Sequence, residues 1–147
     1  MGLDVGTVRI GVALSDAAGI LATPLATIQR SDADYIAQLV EICRERDVVE
    51  VIVGLPLALS GAFTASTRDA LDVARAVDAS IATDVRLVDE RLTTVAAHGA
   101  LRQVGKKQKH TRQVIDQVAA VMILQHALEL ERERGNLPGR LLADIQD

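Results

Sequence analysis

Met1-Gly2-Leu3-Asp4-Val5-Gly6-Thr7-Val8-Arg9-Ile10-Gly11-Val12-Ala13-Leu14-Ser15 decides how the rest of the chain is read. Aliphatic residues flank a break at Gly6-Thr7-Val8, the pattern of a strand (Gly2–Val5), a tight turn and a second strand (Arg9–Leu14). Alternation along a strand puts Met1, Leu3 and Val5 on one face and Gly2, Asp4 and Gly6 on the other. A carboxylate is a poor packing choice in such a place. Its face carries hydrogen atoms where side chains would stand, so room for an ion or a phosphate is expected beside Asp4. Only three residues precede Asp4, fewer than a central strand usually has, which leaves the native start open upstream of Met1.

Working outward, a third short strand is expected near Leu25–Gln29. Ser31-Asp32 then signals a helix whose Tyr35, Ile36, Leu39, Val40 and Cys43 recur at helical spacing up to Arg46. Val48–Val53 is a nearly continuous apolar run, as in a strand buried on both faces. The loop Gly54–Gly61, a helix from about Thr64 to Val77, a strand at Val85–Val88 and a helix near Val95–Val104 follow. A basic loop, Gly105–Arg112, leads into a long helix from about Gln113 to Arg134. The order is mixed α/β: an antiparallel meander, then parallel strands joined by right-handed crossovers. The expected organisation is one domain over residues 1–134, with 135–147 as a loosely packed tail.

Composition narrows the function. A chain of 147 residues supports one domain with a real core. One Phe, one Tyr and no Trp leave little for base stacking, and a net charge of −4 means that a nucleic-acid partner must be met by a local basic patch. Cys43 stands alone, which excludes an internal disulfide and suits a reducing compartment. No apolar run reaches the roughly 18 residues of a membrane span, and no signal peptide is expected ahead of the fold. A cytoplasmic protein without a membrane partner is expected.

Three carboxylates stand in awkward places. Asp4 lies within a strand. Glu90 lies just past the apolar run Val85–Val88, at a strand end where ligands gather in α/β sheets. Asp116 heads a helical stripe of Ala119, Ala120 and Ile123, so it faces the sheet. Each has a bland reading: a turn residue, a solvated charge between Asp89 and Arg91, and an acid favoured by the helix dipole. Together they make a hard-oxygen ligand set for Mg²⁺ or Mn²⁺. Two such ions about 4 Å apart serve phosphodiester hydrolysis. Among the basic residues, Arg102, Lys106, Lys107, Lys109 and Arg112 lie just before Asp116 and are candidates to hold a phosphate backbone, as is Arg9. Gly54-Leu55-Pro56 lacks the Gly-Lys-Ser/Thr of a Walker loop. Cys43 reads as a core residue, His98 and His126 as surface or packing residues rather than ligands, and His110 is the histidine near the proposed site.

Four motifs in order carry a resemblance: Asp4-Val5-Gly6 with Arg9-Ile10-Gly11-Val12-Ala13, Val53-Gly54-Leu55-Pro56, Asp89-Glu90-Arg91-Leu92-Thr93-Thr94, and Ile115-Asp116-Gln117-Val118-Ala119-Ala120. From Met1 to about Leu130 the chain resembles the YqgF family, the pre-16S rRNA nucleases also described as Holliday junction resolvases. The resemblance implies an RNase H-like fold, here a mixed five-stranded sheet flanked by helices. It implies a metal-dependent nuclease, using Mg²⁺ or Mn²⁺, that processes the 5′ end of precursor 16S rRNA in ribosome biogenesis. It carries the catalytic acids onto Asp4, Glu90 and Asp116. The alternatives are a resolvase cutting four-way DNA junctions, a non-catalytic RNA-binding factor and an ATPase of the actin and sugar-kinase type. The last needs a second lobe for which the length leaves no space. Precursor rRNA is the favoured partner over branched DNA, and the chain is expected as a monomer or homodimer.

Overall fold

Short runs of aliphatic residues separated by Gly and polar turns build the sheet from the N-terminus. The computed structural model describes residues 1–92 and 109–146, with backbone alone at 109–113. Strands β1 (Gly2–Val5), β2 (Arg9–Ser15) and β3 (Ala22–Gln29) form the antiparallel meander. Next come α1 (Tyr35–Glu45), β4 (Glu50–Leu55), α2 (Ala65–Asp78) and β5 (Asp84–Asp89). A 3₁₀ turn (Glu90–Leu92) closes that half. Then come α3 (Lys109–Arg134), β6 (Arg140–Leu141) and a last 3₁₀ turn (Leu142–Asp144). The sheet order is β3-β2-β1-β4-β5-β6, with β1–β4 and β4–β5 parallel and β5–β6 antiparallel.

Strand alternation divides the core in two. On one face Leu3, Ile10, Val12, Val51, Val53, Val85 and Leu87 pack against α1 and α2 through Leu39, Cys43, Leu71, Ala74 and Val77. On the other, Ala13, Ala22, Ile52 and Val88 receive Ala120, Ile123, Leu124 and Ala127 of α3. The stripe expected on that helix is buried: Ala119, Ala120 and Ile123 are each at most 1% exposed. Gln117 and Gln125 add polar clamps to the edge strand β3, from Gln117 Nε2 to Thr27 Oγ1 (3.0 Å) and from the Ala22 amide to Gln125 Oε1 (2.8 Å). Helix α2 begins where expected, at a capping box in which Thr64 and Thr67 satisfy each other's backbone amides.

Several boundaries differ from the sequence reading, each for a local reason. Helix α1 starts at Tyr35, because Ser31 and Asp32 lie in turns and Asp34, at the N-cap, makes no capping bond. Strand β4 starts at Glu50: Asp47 takes a left-handed φ of 51°, and Val49 is turned out to 86% exposure. Strand β3 begins earlier, at Ala22. It is a sheet edge, where Pro24 is tolerated, and a register shift at Val12/Ala13 accommodates the extra pairing.

The C-terminal residues depart furthest from expectation. They supply a sixth strand rather than a loose tail, and Leu142 and Ile145 enter the α1/α2-side core. Arg86 Nε donates to the Pro138 carbonyl at 2.7 Å, fastening the approach to β6. Cys43 is buried as expected. His126 Nε2 is buried without a hydrogen-bond partner, which fits a packing residue. The helix expected at Val95–Val104, with His98, Arg102, Lys106 and Lys107, lies outside the described residues. So do the side chains of Lys109, His110 and Arg112, whose backbone forms the start of α3.

Candidate active site

Glycines on three strands bring the acids to one place. Asp4 projects from β1 on the α3 side, and its cross-strand partner on β2 is Gly11. The backbone carbonyl of Asp116 sits against Gly11 so closely that no side chain could occupy that position. At Gly54, near the end of β4, a Cβ would lie 2.5 Å from Glu90 Oε1 and 2.6 Å from Ile123 Cδ1. At Gly2 it would lie 2.7 Å from Leu124 Cβ. The missing side chains are therefore seats for α3 and for Glu90. They are not open room beside Asp4, as the sequence reading held: Leu124 fills the place beside Gly2, and the Arg9 backbone the place beside Gly6.

Asp4 and Glu90 meet directly. Burial is the main force on both, since the charged form loses its hydration. It raises Asp4 to about 6, helped by the negative charge of Asp116 and opposed by a hydrogen bond from Glu90. Glu90 is raised to about 8 by burial first, then by the charge of Asp4 and by the bond the protonated Glu90 carboxyl donates to it. One proton thus relieves the repulsion between two carboxyls. The bland reading of Glu90 fails on its neighbours, because Arg91 is committed elsewhere. Its Nη2 donates to Asp89 at 2.6 Å and its Nη1 to the Leu59 carbonyl at 3.0 Å, so it ties the end of β5 to the β4–α2 loop. The same guanidinium holds the Asp89 carboxyl below the usual carboxylate range.

Asp116 completes the group from α3 in a different state. Arg9 Nε donates to its Oδ2 at 2.7 Å, with the two side chains 23% and 19% exposed. Among the described residues, no three Asp, Glu, His or Cys side chains are arranged as they stand to hold one ion. Two acids are in contact, and the third, bound to a guanidinium, is close enough for its charge to raise Asp4. The donor set still suits a hard divalent cation. It consists of carboxylate oxygens alone, and the shared proton occupies a position where a cation would relieve the same repulsion.

Sequence reasoning located the three acids but missed three features that arrange them. Gly11 and Gly54 carried a signal, since each interrupts an aliphatic run, but a glycine does not say what lies opposite. The Arg9–Asp116 pair spans 107 positions, and nothing local announces it. Arg30 was likewise unremarked. It donates to Asp69 at 2.6 and 2.8 Å and to the Gly6 carbonyl at 2.9 Å, fixing the turn after Asp4 against α2.

A three-stranded antiparallel meander continued by parallel strands, with acids gathered from β1, the end of β5 and the last long helix, is the RNase H-like nuclease architecture. The solved structure of Thermus thermophilus RuvC in complex with a Holliday junction substrate superposes with a TM-score of 0.58, covering 95% of this chain and 96% of that one. A second T. thermophilus RuvC structure gives 0.53, over 95% and 97%. At 15% identity this likeness speaks to the fold.

Residues 1–130 match the family described as "RuvX: Holliday junction resolvase", and the chain belongs to that family of nucleases. A relative in Leifsonia xyli subsp. xyli is 56% identical over 140 residues, which are 95% of this chain and 90% of the relative. One in Clavibacter sepedonicus is 51% identical over 97% of this chain and 89% of its own length. One in Mycobacterium leprae is 52% identical over 88% and 71%. All three carry the name "Putative pre-16S rRNA nuclease".

Proposed function

We propose that this chain is a Mg²⁺- or Mn²⁺-dependent nuclease that hydrolyses phosphodiester bonds in precursor 16S rRNA, at the 5′ end of the mature sequence, with Asp4, Glu90 and Asp116 as its catalytic, metal-holding acids. The observation that carries the reading is the part-buried Asp4–Glu90 contact with Asp116 seated beside it across Gly11. A fold that needed Asp4 and Glu90 only for structure would have paired them with bases or left them in water, not set them against each other. The names of the relatives supply the substrate. Bound between these oxygens, the cation would supply Lewis-acid stabilisation of the phosphoryl group and a water activated for attack.

The chain's own residues do the rest. Glu90, once deprotonated, would hold the cation, and Gly54 keeps the space into which its carboxylate reaches. Arg91, by locking Asp89 to the β4–α2 loop, holds the turn that aims Glu90. Arg9, Lys106, Lys107, Lys109 and Arg112 are assigned to the nucleic-acid backbone. The last four stand shortly before Asp116 in the sequence, which makes them candidate phosphate contacts beside that acid. The described residues include no helix long and apolar enough to cross a membrane, and the proposal places the enzyme in the cytoplasm.

One second reading has a specific observation behind it: the family's own description names Holliday junction resolvases. Resolution needs two symmetric cuts and therefore a pair of sites. The two readings separate in one assay, with a precursor 16S rRNA fragment and a synthetic four-way junction offered in parallel under Mn²⁺ and under EDTA. Metal-dependent cleavage of the RNA with an intact junction is the expected result. Symmetric junction cuts by a dimer would favour the second reading. RNA binding without any cleavage would end both.

A further inference from the structure

Arg9 and Gly11 are two residues apart on β2 and so share the face that α3 covers. Gly11 seats the Asp116 backbone, while Arg9 reaches the side chain of the same residue. The aspartate is thus fixed twice from one strand, at its peptide and at its carboxylate. The grip is one-sided. Arg9 uses Nε and takes Oδ2, and among the described residues neither Asp116 Oδ1 nor the terminal guanidinium nitrogens make a hydrogen bond. Arg9 itself is anchored, with its carbonyl accepting from the Gly6 amide at 2.9 Å in the turn that follows Asp4. Three ionised carboxylates and one guanidinium also leave a net charge that a single divalent cation balances.

We propose that Arg9 is the positioning residue of Asp116: by holding Oδ2 it stops rotation of the carboxylate and presents Oδ1 as the oxygen that ligates the metal. The assignment rests on the metal-dependent reading above. Outer partners of this kind fix a ligand's orientation before the ion arrives, and their loss typically weakens metal binding by about 10–100-fold. The opposite role, a cation that competes with the metal for Asp116, predicts the opposite sign.

The test is Mn²⁺ titration calorimetry on the full chain as wild type, R9Q, R9K, D116N and the R9Q/D116N double variant, with thermal unfolding midpoints as the check on folding. R9Q is expected to lose about 10–100-fold in Mn²⁺ affinity. R9K should recover only part of it, because an ammonium restores charge but not the fixed planar donor edge. The double variant should bind no more weakly than D116N, since the two residues act through one carboxylate. A purely structural Arg9 would not give that non-additivity. Should R9Q fold poorly, R9K carries the test alone. Wild-type affinity or tighter binding in a folded Arg9 variant overturns the inference and leaves the nuclease reading standing. Losses that multiply in the double variant overturn it too. A wild-type protein that binds no Mn²⁺ overturns both.

Discussion

An exposed glutamate is ionised at neutral pH, but burial against Gly54 and contact with Asp4 push the Glu90 carboxyl up to about 8. Both members of the pair have folded-state values above their unfolded ones, near 4 for each. The native state therefore binds more protons than the unfolded chain between about pH 4 and 8, and stability falls as pH rises through that window. Metal-free protein in EDTA should lose on the order of a few kcal/mol from about pH 5 to 8, read as a falling unfolding midpoint. E90Q should flatten the profile, because a neutral amide pays no ionisation cost. A wild-type midpoint that is level over the same range would show that the two carboxyls do not share a buried site. Asp4 and Glu90 could be picked out in the sequence because each is a charge beside or inside an aliphatic run. Their contact could not, since it depends on how far the turn after β5 folds back over β4.

At the scale of elements, the site depends on the depth at which α3 lies on the sheet. That depth is set by glycines on β1, β2 and β4. G11A should cost about 1–3 kcal/mol, because the added methyl meets a backbone carbonyl that cannot swing aside. It should also lift Asp116 away from Asp4. G54A meets the mobile ends of Glu90 and Ile123 instead, so its effect on stability should be smaller than that of G11A, with the loss concentrated in cleavage. Urea unfolding of both variants beside a cleavage assay checks the contrast, and equal stability losses would contradict it. Periodicity made α3 legible, as the burial of Ala119, Ala120 and Ile123 attests. It could not find the true start of β4, because Val48 and Val49 read as strand while the left-handed turn at Asp47 leaves Val48 packed on the core outside the strand and Val49 facing outward.

Across the whole molecule, the last residues close the sheet that the first residues open. β6 pairs with β5, whose end carries Glu90, and Leu142 and Ile145 are each 6% exposed in the core. A two-residue strand has no periodicity to read, so in the sequence Pro138 and Gly139 look like the marks of a loose end. L142A should cost about 2–5 kcal/mol while leaving cleavage well below the unfolding temperature unchanged, which thermal melts and a rate measurement can compare. The antiparallel start and the parallel continuation were legible because local alternation and apolar runs encode them. The ion pair between Arg9 and Asp116 was not, because it is a property of the folded chain alone.

The central claim is that part-buried acids from β1, the end of β5 and α3 form one cation-dependent hydrolytic site. Its most direct test is cleavage of a precursor 16S rRNA fragment by wild type and D4N, each at the same unfolding midpoint, with Mn²⁺ and with EDTA. The account predicts cleavage by wild type with Mn²⁺ alone and none by D4N under either condition. Wild-type rates from D4N, or cleavage that persists in EDTA, would contradict it.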